Sequence, residues 1–208
     1  MGVKAVTILT AELAEGLILS PERYDPRRQA HTDGVLLSEV AVLSATSLRP
    51  STVTGQWRVL DTSHAEAGIV RCDRAPVATI GSTKRVLRSG AVIVSRLRPY
   101  LRQVGLVDPG LVTEGAQLCC STEFYVLTST DEQSIAFLVP FLLSQPVQTA
   151  LAAGQEGGHH PRFPATLLMG LRIPAARMAQ RTADSAAVEA AVAQVRAGRA
   201  VLAVLTGA

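Results

Sequence analysis

The most constraining feature of this chain is a continuous apolar run, Ala91-Val92-Ile93-Val94, launched from Gly90 and flanked on both sides by arginines. A short run without polar alternation reads as a buried strand. Successive side chains on a strand point to opposite faces, so Val92 and Val94 share one side and Ile93 takes the other. The arginines therefore flank the strand instead of lining it. Residues 57–60, 101–107, 116–120 and 124–128 add further strand candidates, so the middle of the chain is β-rich. Pro99 breaks the chain before 101–107, and Asp108-Pro109-Gly110 is a turn, because proline pre-sets φ and glycine permits the reversal.

The periodicity changes around this β-rich body. Residues 3–9 read as a short strand and 10–16 as a short helix, followed by a turn-rich connector at 20–26. A brief helix is expected at 36–43 with Ser38 as N-cap, then a polar loop at 47–55. Helices are expected at 132–143 and 147–153, split by Pro146, and an exposed glycine-rich loop at 154–162. Residues 167–173 return to the core and Pro174 ends them. From Asp184, read as an N-cap, to Leu205 the chain has no proline and much alanine. Val188, Val195 and Leu202 form one seven-residue row, and Ala191, Gly198 and Leu205 form a second, which together make a seam for a partner helix. The competing reading is a terminal helix docked on its own domain. The fold class expected is α+β: a connector at 1–29, a β-rich body with packed helices at 30–174, and a long C-terminal helix at 180–206.

The formal charge is only +3, but it is unevenly distributed. Residues 57–107 hold nine basic and three acidic side chains, so this stretch carries +6 and the remainder −3. Between 84 and 102 there is no acid beside Lys84, Arg85, Arg88, Arg96, Arg98 and Arg102. A localised basic stretch on a nearly neutral protein suits a polyanion, although a solvated face paired with acids from elsewhere would look the same. Cys72, Cys119 and Cys120 are odd in number and lack metal-site spacing, which fits a reducing cytoplasm and no metal. Glu12 and Glu15 interrupt any secretory run, and 133–155 is cut by Pro140 and Pro146, so no membrane segment is expected.

Catalytic signatures are few. The sequence has no Gly-x-Gly-x-x-Gly, no phosphate-loop lysine and no Gly-x-Ser-x-Gly elbow, so no cofactor is expected. An amino-methyltransferase motif of the Asn-Pro-Pro-Tyr type is excluded, because the chain contains no asparagine. A cysteine nucleophile paired with His64 or His159 stays open, but adjacent Cys119-Cys120 in an apolar strand reads better as core. The chain is therefore expected not to be an enzyme.

The order of the segments resembles the specificity subunits of type I restriction–modification systems. Arg23-Tyr24-Asp25-Pro26 is similar to the connector that opens their target recognition domains, and Leu37-Ser38-Glu39-Val40 to the helix that follows. Trp57-Arg58-Val59-Leu60-Asp61-Thr62-Ser63 resembles the next strand and loop. The best match runs from Leu87-Arg88-Ser89-Gly90 through the apolar strand to Ser95-Arg96-Leu97-Arg98-Pro99-Tyr100-Leu101, with Ala91 standing where the family often has an acid. Cys120-Ser121-Thr122-Glu123-Phe124-Tyr125-Val126-Leu127, the loop at 154–162 and Leu171-Arg172-Ile173-Pro174 complete the series, which spans roughly residues 20–205.

The resemblance implies a subunit that recognises double-stranded DNA, needs no cofactor of its own, and directs a DNA adenine methyltransferase subunit and a translocating endonuclease. With one target domain it would read half of a bipartite site, and the helix seam would pair it with itself or with a second specificity chain. The alternative is a protein-interaction module of a defence complex without DNA affinity. Arg96, Arg98 and Tyr100 are the leading DNA-facing candidates, on the expectation that Arg96 and Arg98 share a strand face. Tyr100 taken alone reads as well as a core residue. His159, His160 and Arg162 on the glycine-rich loop are the second group, though idle histidines or a partner contact would suit that loop equally. Asp61, Thr62 and Ser63 read better as a side-chain-stabilised turn than as base contacts.

Overall fold

A computed structural model describes residue 7 and residues 24–53, 55–72, 75–111, 117–157 and 161–207. The strand and helix expected at 3–9 and 10–16, and His159 and His160, lie outside the described residues. In chain order the strands are β1 (Val35–Leu36), β2 (Ala41–Leu43), β3 (Ser47–Leu48), β4 (Trp57–Leu60), β5 (Ala65–Glu66), β6 (Gly68–Val70) and β7 (Val77–Ala78). They continue with β8 (Lys84–Val86), β9 (Val92–Ser95), β10 (Val104–Leu106), β11 (Leu118–Ser121), β12 (Phe124–Ser129) and β13 (Arg172–Ile173). The helices are α1 (Leu37–Val40), α2 (Leu138–Leu142), α3 (Gln145–Ala153), α4 (Ala165–Met169), α5 (Ala175–Ala179) and α6 (Arg181–Thr206). The α+β class expected from the sequence is the class observed.

The apolar run becomes β9, at the middle of a six-stranded sheet ordered β2-β12-β9-β10-β6-β5. Its alternation divides the molecule into layers. Val92 and Val94 join Tyr125, Leu127, Val104 and Leu106 in a core covered by α1, α2, α3 and α4. Ile93 joins Phe124 and Val126 in a second core, closed by Leu60, Leu118 and Cys120 of a five-stranded sheet ordered β3-β8-β11-β4-β7. Helices, central sheet and outer sheet thus stack as three layers, and a strand covered on both faces needs no polar side.

Several local expectations give way to tertiary context. The helix expected at 36–43 shrinks to α1 and passes straight into β2, because residues 41–43 pair with β12. Ser38 lies inside α1, and the first turn is closed by Glu39, whose carboxylate accepts from Leu36 N–H at 3.0 Å. Residues 47–48 of the expected polar loop form β3 on the edge beside β8. The helix expected at 132–143 is confined to α2, and Pro140 sits in its first turn, where a missing N–H costs nothing. Two helices form on either side of residue 144 as expected, but α3 starts at Gln145 and takes Pro146 into its first turn. Strand β10 covers only part of 101–107, because Pro99–Leu101 forms a 3-10 turn first.

Helix α6 begins at Arg181, not at Asp184, and two ionic latches hold it to the body. Arg181 is buried and donates to both carboxylate oxygens of Asp131 at 2.7 Å, to Ser134 O at 3.2 Å and to Gln133 O at 3.3 Å. The guanidinium holds the Asp131 carboxyl well below the usual carboxylate range, helped by the Ser129 hydroxyl. Further along, Arg196 pairs with Asp108, which is buried in the turn after β10. Ser185, Val188 and Val192 lie between the latches and face the core, so the first half of α6 is docked. The second half is not: Val201, Leu202, Val204 and Leu205 are exposed.

Candidate nucleic-acid interface

Strand register fixes which basic residues meet. Ser95 pairs with Phe124, so Arg96 follows at the end of β9, beside the hairpin that joins β11 to β12. Ser121 pairs with Lys84, which brings the start of β8 to the same end. Arg98, Tyr100 and Arg102 belong to the turn between β9 and β10 and project there too. Arg162 reaches this end through an antiparallel bridge to Leu97. Lys84 and the turn at 98–102, from the first segment singled out in the sequence, therefore lie at the same end as Arg162, from the second. Arg88 does not join them. It precedes Gly90 at the opposite end of β9, about 17 Å away at roughly 3.3 Å per residue.

Within the cluster the arginines divide by environment. The Arg162 guanidinium donates to both oxygens of Glu123 at 2.8 and 2.7 Å. Arg96 lies over the Tyr125 ring at 5.5 Å and 3.8 Å from Glu123. Tyr125 in turn donates to Phe163 O at 2.9 Å, and Phe163 N–H donates to Arg96 O at 3.2 Å. Burial raises the Tyr125 pKa, opposed by the nearby Arg96 and Arg85 charges. Arg96 and Arg162 thus clasp residues 162–163 onto the end of β9 around a shared carboxylate. Arg85 also turns inward and donates to Ser44 O at 3.2 Å.

The exposed cations sit on the turn. The expected extension past Ser95 fails: Arg98 adopts the left-handed region at φ 45°, so it does not share a strand face with Arg96. Arg102 closes the turn at φ 52°, and its guanidinium donates to Leu143 O at 2.5 Å. The Arg98 guanidinium makes no hydrogen bond or ion pair with the described residues. Pro99 is buried between them, whereas Tyr100 is 69% exposed. The tyrosine is therefore a surface residue and not part of the core. A cleft of about 500 Å³ opens between the turn and α3, lined by Arg27, Tyr100, Arg102, Gln145, Gln148 and Thr149.

Sequence reasoning missed other cations at this end. Arg49 follows β3, whose register with β8 carries it past Lys84, and it is exposed. Arg27 borders the cleft and pairs with Asp25, and Arg28 reaches Glu156 at 3.3 Å. The pair Arg27-Arg28 was visible in the connector, but only the fold shows that α3 brings it beside Tyr100. Asp61 accepts from Thr62 N–H at 2.6 Å, and His64 closes the same turn, so 61–64 has the turn geometry read from the sequence.

Chemistry of other kinds finds little support. Cys119 and Cys120 are buried, and burial pushes their pKa up to about 11 and about 12, so they stay as thiols. No group of three metal-ligating side chains occurs among the described residues. No helix among them is long and apolar enough to cross a membrane.

No family model matches the chain, and no curated protein matches it. Solved structures do. One is a chain of a type I R-M system, described for its complex assembly and conformational transition. It is 26% identical with a TM-score of 0.59, over 80% of this chain and 43% of that one. Another is the HsdS subunit from Thermoanaerobacter tengcongensis, 25% identical with a TM-score of 0.49, over the same 80% and 43%. The chain spans less than half the length of the structures it matches. Over 80% of its length, the chain's likeness is to a chain of a type I R-M system.

Proposed function

We propose that this chain recognises double-stranded DNA by sequence and directs a partner methyltransferase, and through it a translocating endonuclease, without catalysing a reaction itself. The observation that carries the reading is the placement of Lys84, Arg49, Arg98 and Arg102 at the sheet end that also holds Arg162. Phosphate contacts position such a module, and base edges supply discrimination. Arg96 and Arg162 act as positioning residues. They hold the loop and the turn in one frame, and the exposed arginines of the turn reach for the backbone.

The apolar second half of α6 serves a protein partner. Val195, Leu202 and Leu205 of the seven-residue seam are exposed, as are Ala191 and Gly198, whose small side chains allow a second helix to approach closely. Val188 is the exception, since it packs on the body. Pairing with a second copy, or with another specificity chain, gives two recognition units for one bipartite site.

One titration tests both parts. Binding of a duplex containing the selected target, measured over a range of salt and followed by light scattering, should give a log–log slope of about −3 or steeper, with two chains per duplex. A slope near zero would refute DNA recognition, and a strict 1:1 complex would refute self-pairing.

A further inference from the structure

The turn between β9 and β10 carries an unusual juxtaposition. Tyr100 is 69% and Leu101 44% exposed, side by side at the apex, while Pro99 beneath them is buried. Two large apolar side chains are thus presented to solvent where the fold could have turned them inward. They do not belong to a wider apolar patch, because Arg98 and Arg102 stand immediately on either side and both are exposed.

The backbone holds this arrangement firmly. Leu101 N–H donates to Arg98 O at 2.9 Å and Arg102 N–H donates to Pro99 O at 2.8 Å, closing the 3-10 turn. Arg98 and Arg102 both occupy the left-handed region, which disfavours residues with a Cβ. Non-glycine residues persist there only when the surroundings over-determine them. At the base, the Ser95 hydroxyl donates to Leu97 O at 3.1 Å, and Arg102 is tied to Leu143 O across the cleft. The apex is therefore placed in advance of any encounter.

From this geometry we infer that Tyr100 and Leu101 form an apolar wedge that enters the base stack of bound DNA, with Arg98 and Arg102 seated on the phosphates that border the opened step. A wedge of this kind unstacks a base step and gains apolar contact with the exposed base faces. Sites rich in flexible pyrimidine–purine steps open most easily, so the wedge adds a preference for deformable sequence at a position without hydrogen-bonded readout. The inference rests on the DNA-binding reading, and a target-independent experiment separates the two.

The probes are two 30-base-pair duplexes of the same mixed sequence, one perfectly paired and one carrying a single bulged adenine at its centre. In the bulged duplex the step is already open, so the wild-type chain should bind it at least about tenfold more tightly. The double variant Tyr100→Ala/Leu101→Ala should bind both duplexes equally, with the salt slope of the wild type, because no phosphate contact is removed. Both side chains are exposed, and an unchanged melting temperature verifies that the variant is folded. Equal wild-type affinity for the two duplexes would overturn the wedge and leave DNA recognition standing. A variant that keeps the wild-type preference for the bulge would overturn the wedge as well. Failure of the wild type to bind either duplex would overturn both, and would point to a protein as the partner of this tip.

Discussion

Replacing Arg98 and Arg102 together by alanine is expected to flatten the salt slope of DNA binding by about 1.8 and to weaken binding roughly 30-fold at 0.15 M salt. Both figures follow from a slope near 0.9 per neutralised phosphate. The physical basis is exposure and position. Arg98 has no ionic partner among the described residues, and Arg102 spends one nitrogen on Leu143 O and keeps its other donors for solvent. Neither residue supports the core, so the double variant should melt close to the wild type. The left-handed strain is unchanged in the variant, because alanine also carries a Cβ and inherits it. Replacing Arg88, at the far end of β9, should leave the slope unchanged. Fluorescence anisotropy over a salt series checks both variants with one labelled duplex.

Phe163→Ala is expected to cost about 3–5 kcal/mol of stability, as for other fully buried aromatic side chains, and to lower Tm by roughly 10 °C. Phe163 is fully buried, 5.6 Å from the Tyr125 ring, in the core between the central sheet and the helices. Its backbone accepts from Tyr125 and donates to Arg96 O, so the residue also pins the neighbouring Arg162 to the end of β9. Loss of the ring leaves a cavity directly under the Arg96–Glu123–Arg162 clasp. The variant should therefore lose DNA affinity as well as stability, even though Phe163 itself is sealed from solvent. Calorimetry and anisotropy on the same preparation check the two effects.

How much of this could be read from the chain depended on whether the deciding interactions were local. The buried strand β9 was legible because its apolar run needs cover on both faces, and cores do lie on either side of it. The turn at Pro109 and the long α6 were legible for the same reason, since proline, glycine and helix-forming alanine act within a few residues. Failures came where a distant partner decided the outcome. Residues 41–43 follow a helical turn but pair with β12. Arg96 looked like a free cation until the fold set it over Tyr125 and beside Glu123. Arg88 looked like one of a cluster, because adjacency in sequence hides which end of a strand a residue occupies. Arg49 could be found only from the register of β3 against β8. Tyr100 was a DNA-facing candidate that, taken alone, also read as core, and the turn between the left-handed Arg98 and Arg102 leaves it exposed.

The central claim is that the β9–β10 turn faces DNA and the opposite end of the sheet does not. Arginine modification with phenylglyoxal, read residue by residue by mass spectrometry with and without duplex, measures this directly. Bound DNA should slow modification of Arg98 and Arg102 and leave the exposed Arg88 reacting at its original rate. Protection of Arg88 with Arg98 still reactive would contradict the account.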